Sequence, residues 1–308
     1  MNTTIIGAGA MGSLFGALLA RSGEHVFLMD IWKEHVNAIN SRGLGIELDG
    51  KISHVNISAS ADIKDAPKSD LVIIFVKSTQ TEQAAVQALA CLKNKGLVLT
   101  LQNGMGNAET IAQVVHQDRI IAGTTAHGAT MLGPGLIRHA GTGPTLIGMW
   151  SQKNNAGLKN IQKIFCAAGI DTRIEDNIRF FIWKKLIINV GINAITALTG
   201  IKNGDILDFP PAEALVRVAV KEAVDVALAY GIKLPEDITD EVFKIAGATG
   251  ANRSSMGQDV DHRRQTEIDA INGAIVRMAT EKKIPVPVNQ TLTILVQTLQ
   301  NHYNRQGL

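Results

Sequence analysis

Cysteine is scarce: the 308-residue chain carries two, Cys91 and Cys166. That is too few for a disulfide framework or a zinc site, so no metal is expected and a reduced, cytoplasmic interior is the natural setting. Both fall in helix-like contexts, where buried free thiols are the expectation. Charge of one sign is missing as well. The 30 basic and 28 acidic residues leave a net charge of +2 with no one-signed block, which argues against nucleic acid as a partner. The one local excess, His262-Arg263-Arg264, reads as a solvated helix start or an anion contact. Residues 4 to 20 lack the positive start of a signal peptide. The apolar run Leu186 to Ile201 is shorter than a bilayer span and contains Asn189 and Asn193. A soluble protein with no membrane partner follows. There is no internal repeat and no low-complexity segment.

What is present is an ordinary globular composition, 45% apolar and 19% charged, long enough for about two domains. In the first half, short β-rich runs alternate with helical stretches. Thr3–Ile6, His25–Met29, Leu71–Val76, Leu97–Leu101 and Arg119–Thr124 read as strands. Ala10–Ser22, Gln80–Leu92, Asn107–Val115 and Ala156–Ala168 read as helices, and Thr172–Ile174 as a last short strand. Leu71–Val76 (LVIIFV) is continuously apolar, as befits a parallel strand covered on both faces. This alternation predicts an α/β fold with a Rossmann-type doubly wound sheet. The Gly- and Thr-rich stretch from His127 to Gly148 reads as two antiparallel strands closing the sheet edge. Beyond Asp176 the strand signals fade. Ile178–Leu198, Ala212–Tyr230, Pro235–Ile245, Gln265–Lys282 and Asn289–Tyr303 carry helical period. Residues 1–176 are therefore expected to form the Rossmann domain, and 177–308 an all-helical C-terminal domain for substrate and catalysis.

The first βα turn is Gly7-Ala8-Gly9-Ala10-Met11-Gly12. A GxGxxG between a strand and a helix supplies a tight turn, close backbone approach to a pyrophosphate, and the donor-rich end of a helix. Asp30 closes the second strand, where a carboxylate accepts from adenosine ribose hydroxyls and repels a 2′-phosphate. That favours NADH, although the same residue also suits a plain turn, and Lys33 is near enough in sequence to meet a phosphate. Lys77 and Asn103 follow strand ends, where open α/β sheets bind ligands. Lys77 belongs to the cofactor side; Asn103 suits a ribose or substrate contact, or a turn.

In WKKLIINVGINAITALTG, Lys185, Asn189 and Asn193 recur every fourth residue and share one helical face. Buried polar groups need partners, so a polar-lined site is expected there. An ammonium beside apolar residues has its pKa lowered, which makes Lys185 the best available proton donor. Ser254-Ser255-Met256 and Glu267 form a second constellation. An apolar stripe at 271, 274, 275 and 278 makes Glu267 the head of a buried helix face, either paired or catalytic. A first-turn capping role, with Asp269 alone facing water, is the other reading.

Taken in order, GAGAMG, QNGMG, WKKLIINVGINAITAL, SSMGQD and TEIDAING resemble the ketopantoate reductase (2-dehydropantoate 2-reductase) family over essentially the whole chain. The resemblance implies a Rossmann domain followed by a helical one, and reduction of ketopantoate to D-pantoate on the route to pantothenate and coenzyme A. It implies Lys185 as general acid, Glu267 engaging the substrate hydroxyl and the lysine, and Asn103, Asn189, Asn193 and Ser255 holding the keto acid. Lys77 would lie near the nicotinamide end. The family's NADPH-dependent members carry a basic residue near the end of the second strand, where this chain has Asp30. The resemblance thus implies NADPH and Asp30 favours NADH. Two alternatives stay open: an NAD-dependent D-2-hydroxyacid dehydrogenase of the same fold acting on branched or aromatic 2-keto acids, and a non-catalytic NAD(P)H sensor. A homodimer through the helical domain is expected only from the habit of small reductases.

Overall fold

The computed structural model describes residues 1–305. Among them the chain divides into two compact units: residues 1–102 with 107–181, and residues 103–106 with the chain from Ile182 onward. The division falls between Phe181 and Ile182, inside a helix, rather than at Asp176, where that helix is about to begin.

In the first unit the elements run β1 (Asn2–Ile6), α1 (Ala10–Arg21), β2 (His25–Met29), α2 (Lys33–Arg42), β3 (Leu44–Leu48), β4 (Lys51–Val55), β5 (Ser58–Ser60) and β6 (Ser69–Ile74). They continue through α3 (Thr81–Cys91), β7 (Leu92–Thr100), α4 (Asn107–Ala112), β8 (Ile120–Thr125), β9 (Gly128–Gly133), β10 (Leu136–Gly141), β11 (Thr145–Met149), α5 (Ala156–Ala167) and β12 (Thr172–Ile174). The main sheet has the order β12-β11-β8-β7-β6-β1-β2-β5. It is parallel from β5 to β8, and β11 runs antiparallel to β8. The chain reverses its winding between β1 and β6, the crevice where doubly wound sheets bind ligands. The consecutive residues Leu71, Val72, Ile73 and Ile74 of β6 are all fully buried, so its continuous apolar run has both faces covered.

The 127–148 segment departs from the expected edge hairpin. β9 and β10 are antiparallel, but they pair with β3 and β4 in a separate four-stranded sheet, β4-β3-β10-β9. Helix α1 packs between this sheet and the main one; the main sheet's edge is completed by β11 and β12. The signal for the extra sheet is the Asp49-Gly50 turn between β3 and β4. Both residues have positive φ, 50° and 76°, the geometry that suits a two-residue hairpin to strand twist. Cys91 is buried as expected, whereas Cys166 is exposed. It sits one position past Phe165, off the Leu158–Ile161–Phe165 face that α5 buries.

The second unit is helical: α6 (Ile178–Thr199, its first turn counted with the first unit), α7 (Pro210–Ala229), α8 (Ile238–Ala248), α9 (Ser255–Asp261), α10 (Asn272–Lys282) and α11 (Pro287–Arg305). By length and composition α6 is apolar enough to cross a membrane, yet it is the core helix of this unit. Leu186, Ile187, Val190, Ala194 and Ile195 are at most 1% exposed. A Cβ at Gly191 would come within 2.8 Å of Val242 and 3.0 Å of Val220, so the missing side chain lets α7 and α8 close on α6. His262-Arg263-Arg264 follows the end of α9, with Arg263 at φ +53°, rather than starting a helix.

The expected helix over Gln265–Lys282 is broken. A 3-10 turn covers Ile268–Ala270, Ile271 has ψ −97°, and α10 starts at Asn272. The Ala270 carbonyl accepts from the Met105 amide at 2.8 Å, and Thr266 donates its amide to Gln300 Oε1 at 2.7 Å, so long-range partners replace the helical ladder. Glu267 therefore caps a turn instead of heading a helix. Asp269 is not simply solvated, since Gln297 donates to it at 2.6 Å.

A buried carboxylate holds the last helix. Glu222, 8% exposed, accepts from the Val288 amide at 2.9 Å and from the Asn289 amide and side chain at 2.9 and 2.8 Å. Asn289 in turn accepts from Asn272 at 3.0 Å. The carboxylate satisfies the donors at the N-terminus of α11 and meets the positive end of its dipole. Glu222→Leu is expected to destabilise the protein by about 3 kcal/mol, because the buried donors lose their acceptor. Urea denaturation checks this; a loss under about 0.5 kcal/mol, the range of ordinary surface changes, would show the carboxylate to be dispensable.

Candidate active site

On the first unit, the glycine motif enters α1 at the crevice between β1 and β6. Gly7 has φ +92°, and a Cβ there would lie 2.7 Å from the Val76 amide nitrogen. Only glycine fits both the left-handed backbone and the approach of the neighbouring strand end. A Cβ on Gly12 would lie 2.0 Å from the Gly7 carbonyl oxygen, so α1 can rise directly from the turn. Among the described residues, and apart from the adjoining backbone, no atom lies within 4 Å of the Cβ direction of Gly9, and Gly9 begins α1 without a side-chain cap. Ala10 and Met11 complete the turn. The open side over Gly9 and the uncapped amides of α1 suit an anionic pyrophosphate.

The same corner gathers the other first-unit candidates. Gly7 donates to Met29 O at 2.9 Å, which sets Asp30 one residue beyond the motif's neighbouring strand. Lys77 directly follows Val76, the residue packed against Gly7. The Asp30 carboxylate accepts from the Trp32 amide at 2.9 Å, a local turn that fixes one oxygen of the carboxylate. Gln102 was not singled out from the sequence, though it stands in QNGMG. Its carboxamide donates to Val76 O at 2.7 Å and Thr81 Oγ1 at 2.9 Å and accepts from Thr100 at 2.9 Å. It ties together the carboxyl ends of β6 and β7.

Asn103 counts with the second unit. The glycine after it has φ +85°, and a Cβ there would meet the Ala270 carbonyl oxygen at 2.4 Å. This close approach brings Asn103 to Glu267, to whose Oε2 its side chain donates at 3.4 Å. Glu267 also acts on Lys185. Burial drives the Lys185 pKa down from 10.5 to about 8, and the negative charge of Glu267 partly opposes the shift. The amine thus keeps most of its protons at neutral pH while giving them up far more readily than an ordinary lysine. The residue as a whole is half-buried on α6.

Further along α6, Asn189 is half-buried and Asn193 is 5% exposed. Asn193 donates to Ser255 Oγ at 3.5 Å. Ser255 is positioned by Ser254, its partner in the sequence motif, and by Thr196 and Arg253, which the sequence does not single out. Ser254 caps α9 by accepting from the Gly257 amide at 3.0 Å, and Thr196 donates to it at 2.7 Å. Arg253 spans two helices, paired with Asp261 and donating to the Thr196 and Ile201 carbonyls. The readable signals were the Ser-x-x-Gly start of α9 and Thr196, one turn beyond Asn193. The second-unit candidates therefore fall into two linked groups, Lys185–Glu267–Asn103 and Asn193–Ser255, with Asn189 between them on α6.

A sheet wound as dinucleotide-binding sheets are, and a lysine held as a weak acid against a carboxylate, together describe a two-domain NAD(P)-dependent oxidoreductase acting on a CH–OH group or its carbonyl. Comparison with known proteins agrees with that class. Residues 3–152 match the family model described as ketopantoate reductase PanE/ApbA, and residues 177–300 match its C-terminal counterpart. The chain belongs to the ketopantoate reductase family. It is 37% identical to the 2-dehydropantoate 2-reductase of Halobacterium salinarum over 301 residues, covering 97% of this chain and 99% of that one. It is also 37% identical to the enzyme of that name from Pyrococcus horikoshii over 301 residues, 98% of each chain. Among solved structures, a D-mandelate dehydrogenase with NADH and anilino(oxo)acetate superimposes with a TM-score of 0.93 at 30% identity, covering 99% of this chain and 100% of that one. The PanE/ApbA family ketopantoate reductase of Ralstonia eutropha JMP134 gives 0.91 at 37% identity, covering 98% and 99%.

Proposed function

We propose that the chain reduces 2-dehydropantoate to D-pantoate with NAD(P)H, a step of pantothenate and coenzyme A biosynthesis, as a soluble cytoplasmic enzyme. The observation that carries this reading is the Lys185–Glu267–Asn103 group in a chain whose residues 3–152 and 177–300 match the two family models. The first unit is assigned the dinucleotide, with Gly7, Ala8, Gly9, Ala10, Met11 and Gly12 at the pyrophosphate, Asp30 at the adenosine ribose and Lys77 toward the nicotinamide. The bound dinucleotide supplies a hydride for the keto carbon. Lys185 donates the proton that the carbonyl oxygen then needs, leaving a hydroxyl and a neutral amine that solvent reprotonates. Glu267 accepts from a substrate hydroxyl and holds the ammonium in place. Asn103, Asn189, Asn193 and Ser255 orient the keto acid through neutral donors, and the balanced surface charge supports a small-molecule partner rather than nucleic acid or membrane.

Asp30 supports NADH over NADPH, since its carboxylate repels a 2′-phosphate. kcat/KM for NADH is expected to exceed that for NADPH by about tenfold or more, which corresponds to about 1.4 kcal/mol of transition-state binding. A preference for NADPH of similar size would remove Asp30 as the determinant. A second reading, an NADH-dependent D-2-hydroxyacid dehydrogenase for branched or aromatic 2-keto acids, is favoured by the likeness to D-mandelate dehydrogenase. A spectrophotometric screen of ketopantoate against such acids, with both reduced cofactors, tests the pair. Ketopantoate is expected to give the highest kcat/KM. Negligible turnover of it beside rapid turnover of an aromatic keto acid would establish the second reading, and no turnover of any acid would favour a sensor.

A further inference from the structure

His35 is completely buried on α2, and the reaction just described gives it no task. Its ring is bonded at both nitrogens. The Gly135 amide donates to Nδ1 at 2.9 Å, and Nε2 lies 3.2 Å from Ser13 Oγ. A backbone N–H can only donate, so Nδ1 is bare and the hydrogen sits on Nε2. The ring then donates to Ser13, whose own hydroxyl donates to the Ala8 carbonyl at 2.7 Å. Burial lowers the His35 pKa, against smaller opposing effects of the Asp30 charge and of the nearby Ala8 carbonyl, and keeps the ring in this neutral form.

Each end of the relay is fixed. The β9–β10 tip at Gly133-Pro134-Gly135 is held to α2 by Arg42, which donates to the Pro134 carbonyl at 2.8 Å. It is held to β3 by the Gly45 amide, which donates to the Gly135 carbonyl at 2.8 Å. Trp32 stacks on the imidazole with centroids 5.3 Å apart and planes 10° apart. The other end is the second residue of the glycine motif. A trans peptide sends its C=O and N–H in opposite directions. Holding the Ala8 carbonyl inward on Ser13 therefore turns the Gly9 N–H outward, on the side where the Cβ direction of Gly9 is open.

We propose that His35, through Ser13 and the Ala8 carbonyl, is a positioning residue that presets the Gly9 amide for the dinucleotide pyrophosphate. This rests on the assignment of the dinucleotide to the first unit. The relay acts on the peptide just before Gly9, the residue that begins α1 without a side-chain cap. It explains why a histidine with both nitrogens bonded lies under the adenosine corner beside Asp30 and Trp32. Its effect belongs to dinucleotide affinity and not to the chemical step, because an amide oriented in advance spares bound dinucleotide the cost of ordering it.

The test is direct binding of NADH and of NADPH to the full chain, followed by nucleotide fluorescence with no keto acid present. His35→Leu and Ser13→Ala should each raise Kd by about tenfold, the size of one well-placed hydrogen bond to a charged group. His35→Gln, which keeps one donor and one acceptor, should recover most of the affinity. With a keto acid present, the KM for dinucleotide should rise while kcat at saturation stays within about twofold. Ile161→Ala, in the core face of α5, serves as a destabilised control whose Kd should not move. Should His35→Leu fail to fold, Ser13→Ala, an ordinary helix substitution, still decides. Wild-type affinity in Ser13→Ala, or an equal loss in Ile161→Ala, overturns the inference while leaving the dinucleotide assignment standing. A wild-type chain that binds neither dinucleotide overturns both.

Discussion

Lys185→Ala is expected to lower kcat for keto-acid reduction by about 10²- to 10⁴-fold, the usual worth of a positioned general acid, while Kd for the dinucleotide stays within about twofold. The argument rests on protonation as much as on place. With its pKa lowered to about 8 by burial, Lys185 is largely protonated at neutral pH and transfers that proton with little penalty. kcat/KM for reduction should be flat through neutrality and fall about tenfold per pH unit above 8. Oxidation of the product alcohol needs the neutral amine, so it should rise with pH and level off above the same value. The alanine variant should lose both limbs. An unchanged kcat, or a falling limb that survives in Lys185→Ala, would remove this lysine from the mechanism.

How much of this was legible beforehand follows from how local each signal is. The β–glycine–α entry of residues 3 to 22 is written in contiguous residues, as is the apolar run of β6, and both form close to where they are expected. Lys185, Asn189 and Asn193 are spaced by helical geometry alone, and α6 carries them without interruption. The four-stranded sheet was harder to see because the Gly45–Gly135 contact that brings β3 to the start of β10 spans 90 residues, and no local pattern records that pairing. Its hairpin turn at Asp49-Gly50 was the one local trace. Glu267 shows the reverse failure: an apolar stripe at helical spacing suggested a continuous helix, and the Met105 and Gln300 hydrogen bonds broke it. His35 carries no signal in the sequence, since a histidine within an ordinary amphipathic helix looks solvated until the β9–β10 tip covers it.

The break before α10 sharpens what Glu267 can do. On a turn rather than a helix, its carboxylate is positioned by its neighbours: Asn103 donates to one oxygen, and its negative charge acts on the Lys185 ammonium. Glu267→Gln removes that charge while keeping the size of the side chain and an oxygen for Asn103. Because the charge of Glu267 raises the Lys185 pKa against desolvation, its loss should let that pKa fall below 8. An opposite charge close to a buried amine is worth about 1 unit or more. The falling limb of kcat/KM for reduction should therefore move to lower pH by about that amount. At pH 7.5 the variant has a smaller protonated fraction and a less well-oriented acid, so kcat should drop by about 10²-fold. The two substitutions leave different signatures: Lys185→Ala abolishes the limb, whereas Glu267→Gln displaces it. A variant whose activity falls with its limb still at 8 would mean that Glu267 serves the substrate hydroxyl alone. A displaced limb with near-normal kcat at pH 6 would mean that its main task is to keep the lysine charged.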